Sequence, residues 1–296
     1  MQAVGTKQIQ RIGLFDSGVG GLSVLRQLQR LPYNGKREFF YVGDTARCPY
    51  GNRERAEIAR FVEQIVRFLL MRDVDAVVMA CNTSAALALE VARSVSKVPV
   101  FDLITPTAKH VAGLGAKVGV IATGATARSH AFARAIQSIN PACEVFELGC
   151  PDLVPLVEAG NADLPATLEV LEHHISKLIE QRVEALVLGC THFPFLRRQI
   201  ESLLQGRMVV IDPAEVLFSE SALNSPMNVS SEFAQRCEFF VTGCPENFAE
   251  IAKKCMGELS GTVTAITADH LNELAASEVA ADILVSRQAV TSPVVP

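Results

Sequence analysis

The sequence contains no C-x-x-C pair, no apolar run long enough to span a bilayer, and no Lys/Arg block that would mark a polyanion-binding face. Each absence excludes a class. The eight cysteines, at positions 48, 81, 143, 150, 190, 237, 244 and 255, are expected as free thiols in a reducing compartment, most of them packing as small hydrophobes. The net charge of −5 has both signs well mixed, so no nucleic-acid partner is expected. The opening MQAVGTKQIQRIGLF lacks the apolar core of a signal peptide and reads as leading into a first strand, which makes a cytoplasmic protein the default expectation. G-x-G-x-x-G spacing and a G-K-[ST] ending are also missing. The glycine turn FDSGVGGLSV therefore supports neither a dinucleotide site nor a P-loop. Cys190-Thr191-His192 has no second short-range ligand pair, so zinc is not supported; neither metal nor cofactor is expected.

What is present is an alternation of short β-type runs with amphipathic, helix-length segments. RIGLF, FFYVGD, DAVVMAC, PVFDLI, KVGVIAT, EALVLGC and MVVID are apolar almost throughout, the pattern of parallel strands covered by helices on both faces. The expected class is α/β. At 296 residues the chain exceeds one ordinary core, and two domains are expected. In such sheets ligands sit beyond the carboxyl ends of the strands, where strand order reverses.

One of those strand ends occurs twice. VDAVVMACNT (74–83) aligns without gaps on VEALVLGCTH (183–192) at an offset of 109, and RIGLFDSG (11–18) resembles KVGVIATG (117–124) at an offset of 106. Apolar strands followed by small residues recur by chance in any α/β fold. Two matches at nearly one offset, one of them placing a cysteine at the same strand end, point instead to two pseudo-symmetric halves with Cys81 and Cys190 facing each other across a cleft. Each thiol precedes a helix start, Asn82-Thr83-Ser84 in one case and Thr191 before FPFLRRQIESLL in the other. That placement is expected to lower a thiol pKa from about 8.5. One such thiol suggests a nucleophile. The same group presented from two sides suggests proton removal from one face of a carbon and return to the other, which inverts its configuration.

At this point the chain resembles the glutamate racemases, within the cofactor-independent aspartate/glutamate racemase superfamily, through FDSGVGGLSV, GDTARCPYG, ACNTSAA, VIATGAT, LVPLVEAG and GCTHFPFL, with a weaker match in FFVTGCPENF. The resemblance implies two pseudo-symmetric, doubly wound α/β domains with mainly parallel sheets and a shared cleft. Residues 1–101 and 213–296 would form the first domain and 102–212 the second. It implies a homodimer that takes L- and D-glutamate as small-molecule substrates and supplies D-glutamate for peptidoglycan. Cys81 would take the α-proton of D-glutamate and Cys190 that of L-glutamate. Asp16 would assist Cys81, and His192 and Glu158 would assist Cys190. Ser17, Tyr50, Gly51, Asn82, Thr83, Thr123, Thr126 and Thr191, together with Asp16 and His192, would bind substrate.

Three other readings remain open from the residues: an aspartate racemase, differing by one methylene of substrate; a Cys–His hydrolase built on Cys190 and His192; and an amino-acid-binding protein that uses the cleft without the thiols. Cys143, Cys150, Cys237 and Cys255 are expected to pack, Cys48 to fill space in its loop, and Cys244 to be incidental to a turn. His110, His130, His173, His174 and His270 are expected at the surface. SESALNSPMNVSSEF (219–233) reads as a loop, and the tail from about 268 contains a helix-like ELAASEVAADILVSRQAV.

Overall fold

The computed structural model describes residues 9–31, 36–115, 117–220, 234–257, 259 and 261–273. Strands β1 (Arg11–Asp16), β2 (Lys36–Gly43), β3 (Ala76–Met79) and β4 (Val100–Asp102) begin one sheet, and β5 (Val118–Ala122), β6 (Val145–Gly149), β7 (Ala185–Gly189) and β8 (Val209–Ile211) form another. The chain then returns to the first sheet with β9 (Ala234–Val241) and β10 (Thr262–Ala265). The strand orders are β10-β9-β2-β1-β3-β4 and β6-β5-β7-β8, with parallel ladders throughout.

Helices α1 (Leu22–Arg30), α2 (Arg55–Leu70) and α3 (Asn82–Val95) link the strands of the first sheet, and α4 (Ile104–Leu114) leads into the second. That second lobe carries α5 (Gly124–Ser129), α6 (Ala131–Ile139), α7 (Leu153–Glu158), α8 (Pro165–Glu180) and α9 (Arg197–Leu204). Helices α10 (Pro213–Glu220) and α11 (Pro245–Met256) follow. Among the described residues no helix is long and apolar enough to cross a membrane.

The central strands are apolar on both faces because helices cover both: β3, β5 and β7 are buried along their whole length. The edge strands β4, β8 and β10 are progressively more exposed. Helix α2 shows how the sequence builds this cover. Glu54 and Glu57 form a capping box at its start, and Ile58, Phe61, Val62, Ile65, Phe68 and Leu69 recur at three- and four-residue spacing on its buried face.

The internal repeat is real in three dimensions. Without β9 and β10, the orders β2-β1-β3-β4 and β6-β5-β7-β8 are the same. Ile12 pairs with Ala76 as Val118 pairs with Ala185, and Ile12 with Phe39 as Val118 with Val145, so both register and order repeat. Even the mid-strand glycines correspond. A Cβ on Gly13 would meet Leu69 of α2 at 3.1 Å, and one on Gly119 would meet Leu178 of α8 at 3.0 Å. Glycine at both places lets the helix lie close to the strand.

The switch point of each sheet lies between its first and third strands, so the carboxyl ends of β1 and β3 face those of β5 and β7. The two lobes share packing beside this cleft: Val19 and Leu22 lie in one apolar cluster with Leu153, Val157 and Phe193.

Three expectations need correction. His174 is buried, because it shares the inner face of α8 with Leu171, Ile175 and Leu178, and its Nε2 lies 2.8 Å from Asp152 Oδ1. Helix α10 runs to Glu220, two residues into the stretch expected as a loop; the rest of that stretch, and the tail from 274, lie outside the described residues. Finally, FPFLRRQIESLL is not one helix. A 3₁₀ turn (Phe193–Leu196) precedes α9, so Cys190 stands ahead of a tight turn and does not cap an α-helix.

Candidate active site

A narrow cavity of about 10 Å³ lies between the two sets of strand ends. Cys81 and Cys190 both line it, each 4% exposed, together with Ser17, Tyr50, Gly51, Asn82, Thr83, Thr123, Thr191 and His192. Three further residues named from the sequence stand directly behind this wall. Asp16 accepts a hydrogen bond from Thr191 Oγ1 at 2.9 Å, Glu158 lies 2.6 Å from His192 Nε2, and Thr126 touches both Thr83 and Thr123.

The two thiols have different surroundings. Cys81 is the N-cap of α3, a position that favours thiolate, yet burial pushes its pKa up to about 11. The negative charge of Asp16 adds to that rise, and the hydroxyl and N–H of Ser84 oppose it. The lowered pKa expected from the helix start is therefore corrected for Cys81: desolvation outweighs the dipole.

Cys190 has an imidazole beside it, with 3.7 Å from Sγ to His192 Nδ1. Burial works to lower the His192 pKa, but its hydrogen bonds to Cys190 and Glu158, and their charges, hold it well above the ordinary value. Burial likewise works to raise Glu158, and the His192 contact brings it below its ordinary range. A charged pair thus stands behind Cys190.

Asp16 is fully buried at the end of β1, and desolvation raises its pKa against the opposing effects of His192, the Gly18 N–H and the Thr191 hydroxyl. The glycine turn after it brings the lobes together. Val19 N–H donates to Glu158 Oε1 at 2.9 Å, and a Cβ on Gly20 would come within 2.4 Å of His192 Nδ1.

The polar groups facing the cavity are set for a small polar ligand. Asn82 is 2% exposed, and neither its Oδ1 nor its Nδ2 has a partner. Burying an amide in this state is costly unless a ligand satisfies it. The hydroxyls of Thr83, Thr123 and Thr126 lie 2.9–3.1 Å apart, one from the first lobe and two from the second. Each can donate to its neighbour or turn to a carboxylate. Tyr50 differs, since its hydroxyl donates to Asp44, which also accepts from Arg47 and Thr242. What Tyr50 offers the cavity is therefore not its hydroxyl.

Sequence reasoning missed several contributors. Pro49 and Val154 line the cavity, but apolar side chains within a motif look like core. Asp44, inside GDTARCPYG, anchors Tyr50; its signal was the motif itself, to whose carboxylate no role had been given. A larger cavity of about 250 Å³ adjoins the first, lined by Cys48, Glu158, Cys244 and Phe248, and shares Pro49 and Val154 with it. Both thiols line the smaller one. Among the described residues no group of three or more His, Cys, Asp or Glu side chains is arranged to hold a metal ion.

The sequence profile described as Asp/Glu/Hydantoin racemase matches residues 18–220. The chain is 45% identical over 242 residues to a glutamate racemase of Gloeobacter violaceus, covering 81% of this chain and 90% of the relative. Its fold resembles the glutamate racemase of Thermus thermophilus in complex with β-chloro-D-alanine, with a TM-score of 0.75, 38% identity and coverage of 90% of this chain and 100% of the other. It also resembles the Francisella tularensis glutamate racemase in complex with D-glutamate, with a TM-score of 0.76, 32% identity and coverage of 88% and 98%.

Proposed function

We propose, from the premise that this chain belongs to the Asp/Glu/hydantoin racemase family and is an amino-acid racemase, that it interconverts L- and D-glutamate by removing the α-proton with one of Cys81 and Cys190 and returning a different proton from the other. The observation that carries this reading is the pair of buried thiols at equivalent strand ends of two repeated lobes, lining one cavity. With L-glutamate, the Cys190 thiolate takes the α-proton and becomes a thiol, leaving the electron pair on the α-carbon. Cys81 then gives its proton to the opposite face. The reverse path starts from D-glutamate. No cofactor is used.

The surroundings support this division of labour. Cys81, with its pKa pushed up to about 11, is held as the thiol near neutral pH and can donate. Before D-glutamate can react, Cys81 must lose that proton, and the raised pKa of Asp16 makes it a fitting acceptor. A substrate ammonium in the cleft would assist by placing positive charge near the thiol. The His192–Glu158 pair serves Cys190 in the corresponding role. Asn82 and the three threonine hydroxyls are assigned to the carboxylates and the ammonium, where they would stabilise charge spreading into the α-carboxylate as the proton leaves.

Cys190, His192 and Glu158 form a chain that would also suit a nucleophilic thiol, but that reading gives Cys81 no role. We also assign residues 1–101 and 213–296 to one domain and 102–212 to the other, supported by the pairing of β9 with β2. The product D-glutamate is proposed to supply peptidoglycan synthesis.

The test is incubation of the purified protein with L-glutamate in D2O, with aspartate in parallel, following optical rotation and loss of the α-proton signal. Inversion with deuterium uptake on glutamate is expected, and Cys81→Ala and Cys190→Ala should each abolish it while ligand binding by calorimetry survives. Undiminished turnover in both variants would refute the two-thiol mechanism.

A further inference from the structure

The loop Cys190-Thr191-His192 belongs to the second lobe but is gripped by the first. Ser23, the second residue of α1, is 2% exposed, and its Oγ donates to the main-chain carbonyl of Thr191 at 3.0 Å. The hydroxyl of Thr191 donates to Asp16 Oδ2 at 2.9 Å. The first lobe therefore holds this one residue by both side chain and backbone. Because the peptide unit is planar, fixing the Thr191 carbonyl also fixes the direction in which the chain enters His192. With the side chain held as well, Cys190, bonded to the Thr191 nitrogen, retains little freedom.

The loop of the other thiol is met across the cleft only by side chains, Thr83 Oγ1 lying 2.9 Å from that of Thr123 and 3.1 Å from that of Thr126, and among the described residues no side chain of the second lobe bonds its main chain. The repeat places Ser129 opposite Ser23 at the offset of 106, and Asn82 opposite Thr191 at 109. Ser129, however, donates to the carbonyl of Thr126 in its own helix, at 2.6 Å. The main-chain grip is one-sided in an otherwise repeated architecture. Cys81 is instead seated as the N-cap of α3, within the lobe that does the gripping.

We infer that Ser23 is a positioning residue for Cys190, holding that thiol and His192 in line with the α-carbon, while leaving Cys81 unaffected. This inference rests on the two-thiol reading above, and the experiment separates the two. L- and D-glutamate have equal free energy, so kcat/KM must fall by the same factor in both directions whichever residue is altered. Rate loss alone is therefore not diagnostic. The primary isotope effect is, because an α-deuteron on L-glutamate reports abstraction by Cys190 and one on D-glutamate reports abstraction by Cys81.

Ser23→Ala is expected to lower kcat roughly ten-fold or more, the scale on which small misplacements act. It should also raise the isotope effect with α-deuterated L-glutamate and bring that with α-deuterated D-glutamate toward one. Ser23→Thr, which keeps the hydroxyl, should restore the rate and isotope effects of the unaltered protein. If Ser23→Ala does not fold, Ser23→Cys, near in shape and a weak donor, should show the same asymmetry to a smaller degree. Wild-type turnover in Ser23→Ala, or isotope effects that change equally in the two directions, would overturn the inference alone. Absence of racemisation by the unaltered protein would overturn it together with the reading beneath it.

Discussion

Asp16 is a carboxylate with no access to solvent, held by the Gly18 N–H at 2.8 Å and the Thr191 hydroxyl at 2.9 Å. Its burial raises its own pKa, and its charge raises that of Cys81. Asp16→Asn keeps the shape and the accepting oxygen while removing both the charge and the proton acceptor. Two effects should separate. The Cys81 pKa falls, so alkylation of Cys81 in a Cys190→Ser background, followed by mass spectrometry across a pH series, shifts to lower pH. At the same time kcat falls by roughly 10²-fold, the usual worth of a general acid–base group, with KM changed much less. An unchanged kcat would remove the proposed role. At this scale the sequence was informative about the thiols, because a repeated strand end displayed them, and about Asp16, because a carboxylate beside a glycine turn has no packing reason to be there. It was misleading about the Cys81 pKa, since helix position is written in the sequence and desolvation is not.

The elements that meet at the cleft were legible where their patterns were long. Helix α2 and the central strands follow directly from apolar spacing, and the repeat of order and register followed from two short matches. What escaped was set by contact between elements: the 3₁₀ turn after Cys190, the inward-facing His174, and the grip of α1 on the opposite lobe all depend on partners distant in sequence. Two glycines make the contrast testable. At Gly20 an added Cβ would lie 2.4 Å from His192 Nδ1 and 2.7 Å from Thr191 Oγ1, so the glycine turn and the Cys190 loop would have to separate. Gly20→Ala should therefore reduce kcat by roughly 10²-fold, as expected when reacting groups move by about an ångström. At Gly113, inside α4, an added Cβ meets nothing within 4 Å, and the backbone is already helical. Gly113→Ala should leave activity intact and stabilise the fold by up to about 1 kcal/mol in a urea titration. Equal effects at the two positions would mean that the lobes do not meet as closely as the Gly20 contact requires.

Across the whole molecule, the lobes are joined at Glu158, whose Oε1 accepts from Val19 N–H of the first lobe and pairs with His192 of the second. The pKa directions of this pair predict how the junction responds to pH. His192 is raised in the folded state, so its contribution is complete below its ordinary value of 6.5 and is lost as pH rises through the folded pKa. Glu158 is lowered, so its contribution is complete above its ordinary value of 4.5 and is lost as pH falls through the folded pKa. The pair is therefore at full strength between pH 4.5 and 6.5 and weakens on either side. Removing one member with Glu158→Ala should cost roughly 2–4 kcal/mol near the middle of that window. This is less than for a fully enclosed pair, because part of Glu158 remains in solvent. Urea titrations of the unaltered protein and the variant at pH 5.5, 8.5 and 10 should show the difference shrinking as pH rises. A difference that stays constant across that range would mean that His192 carries no extra proton in the folded state, and that the charge behind Cys190 has another source.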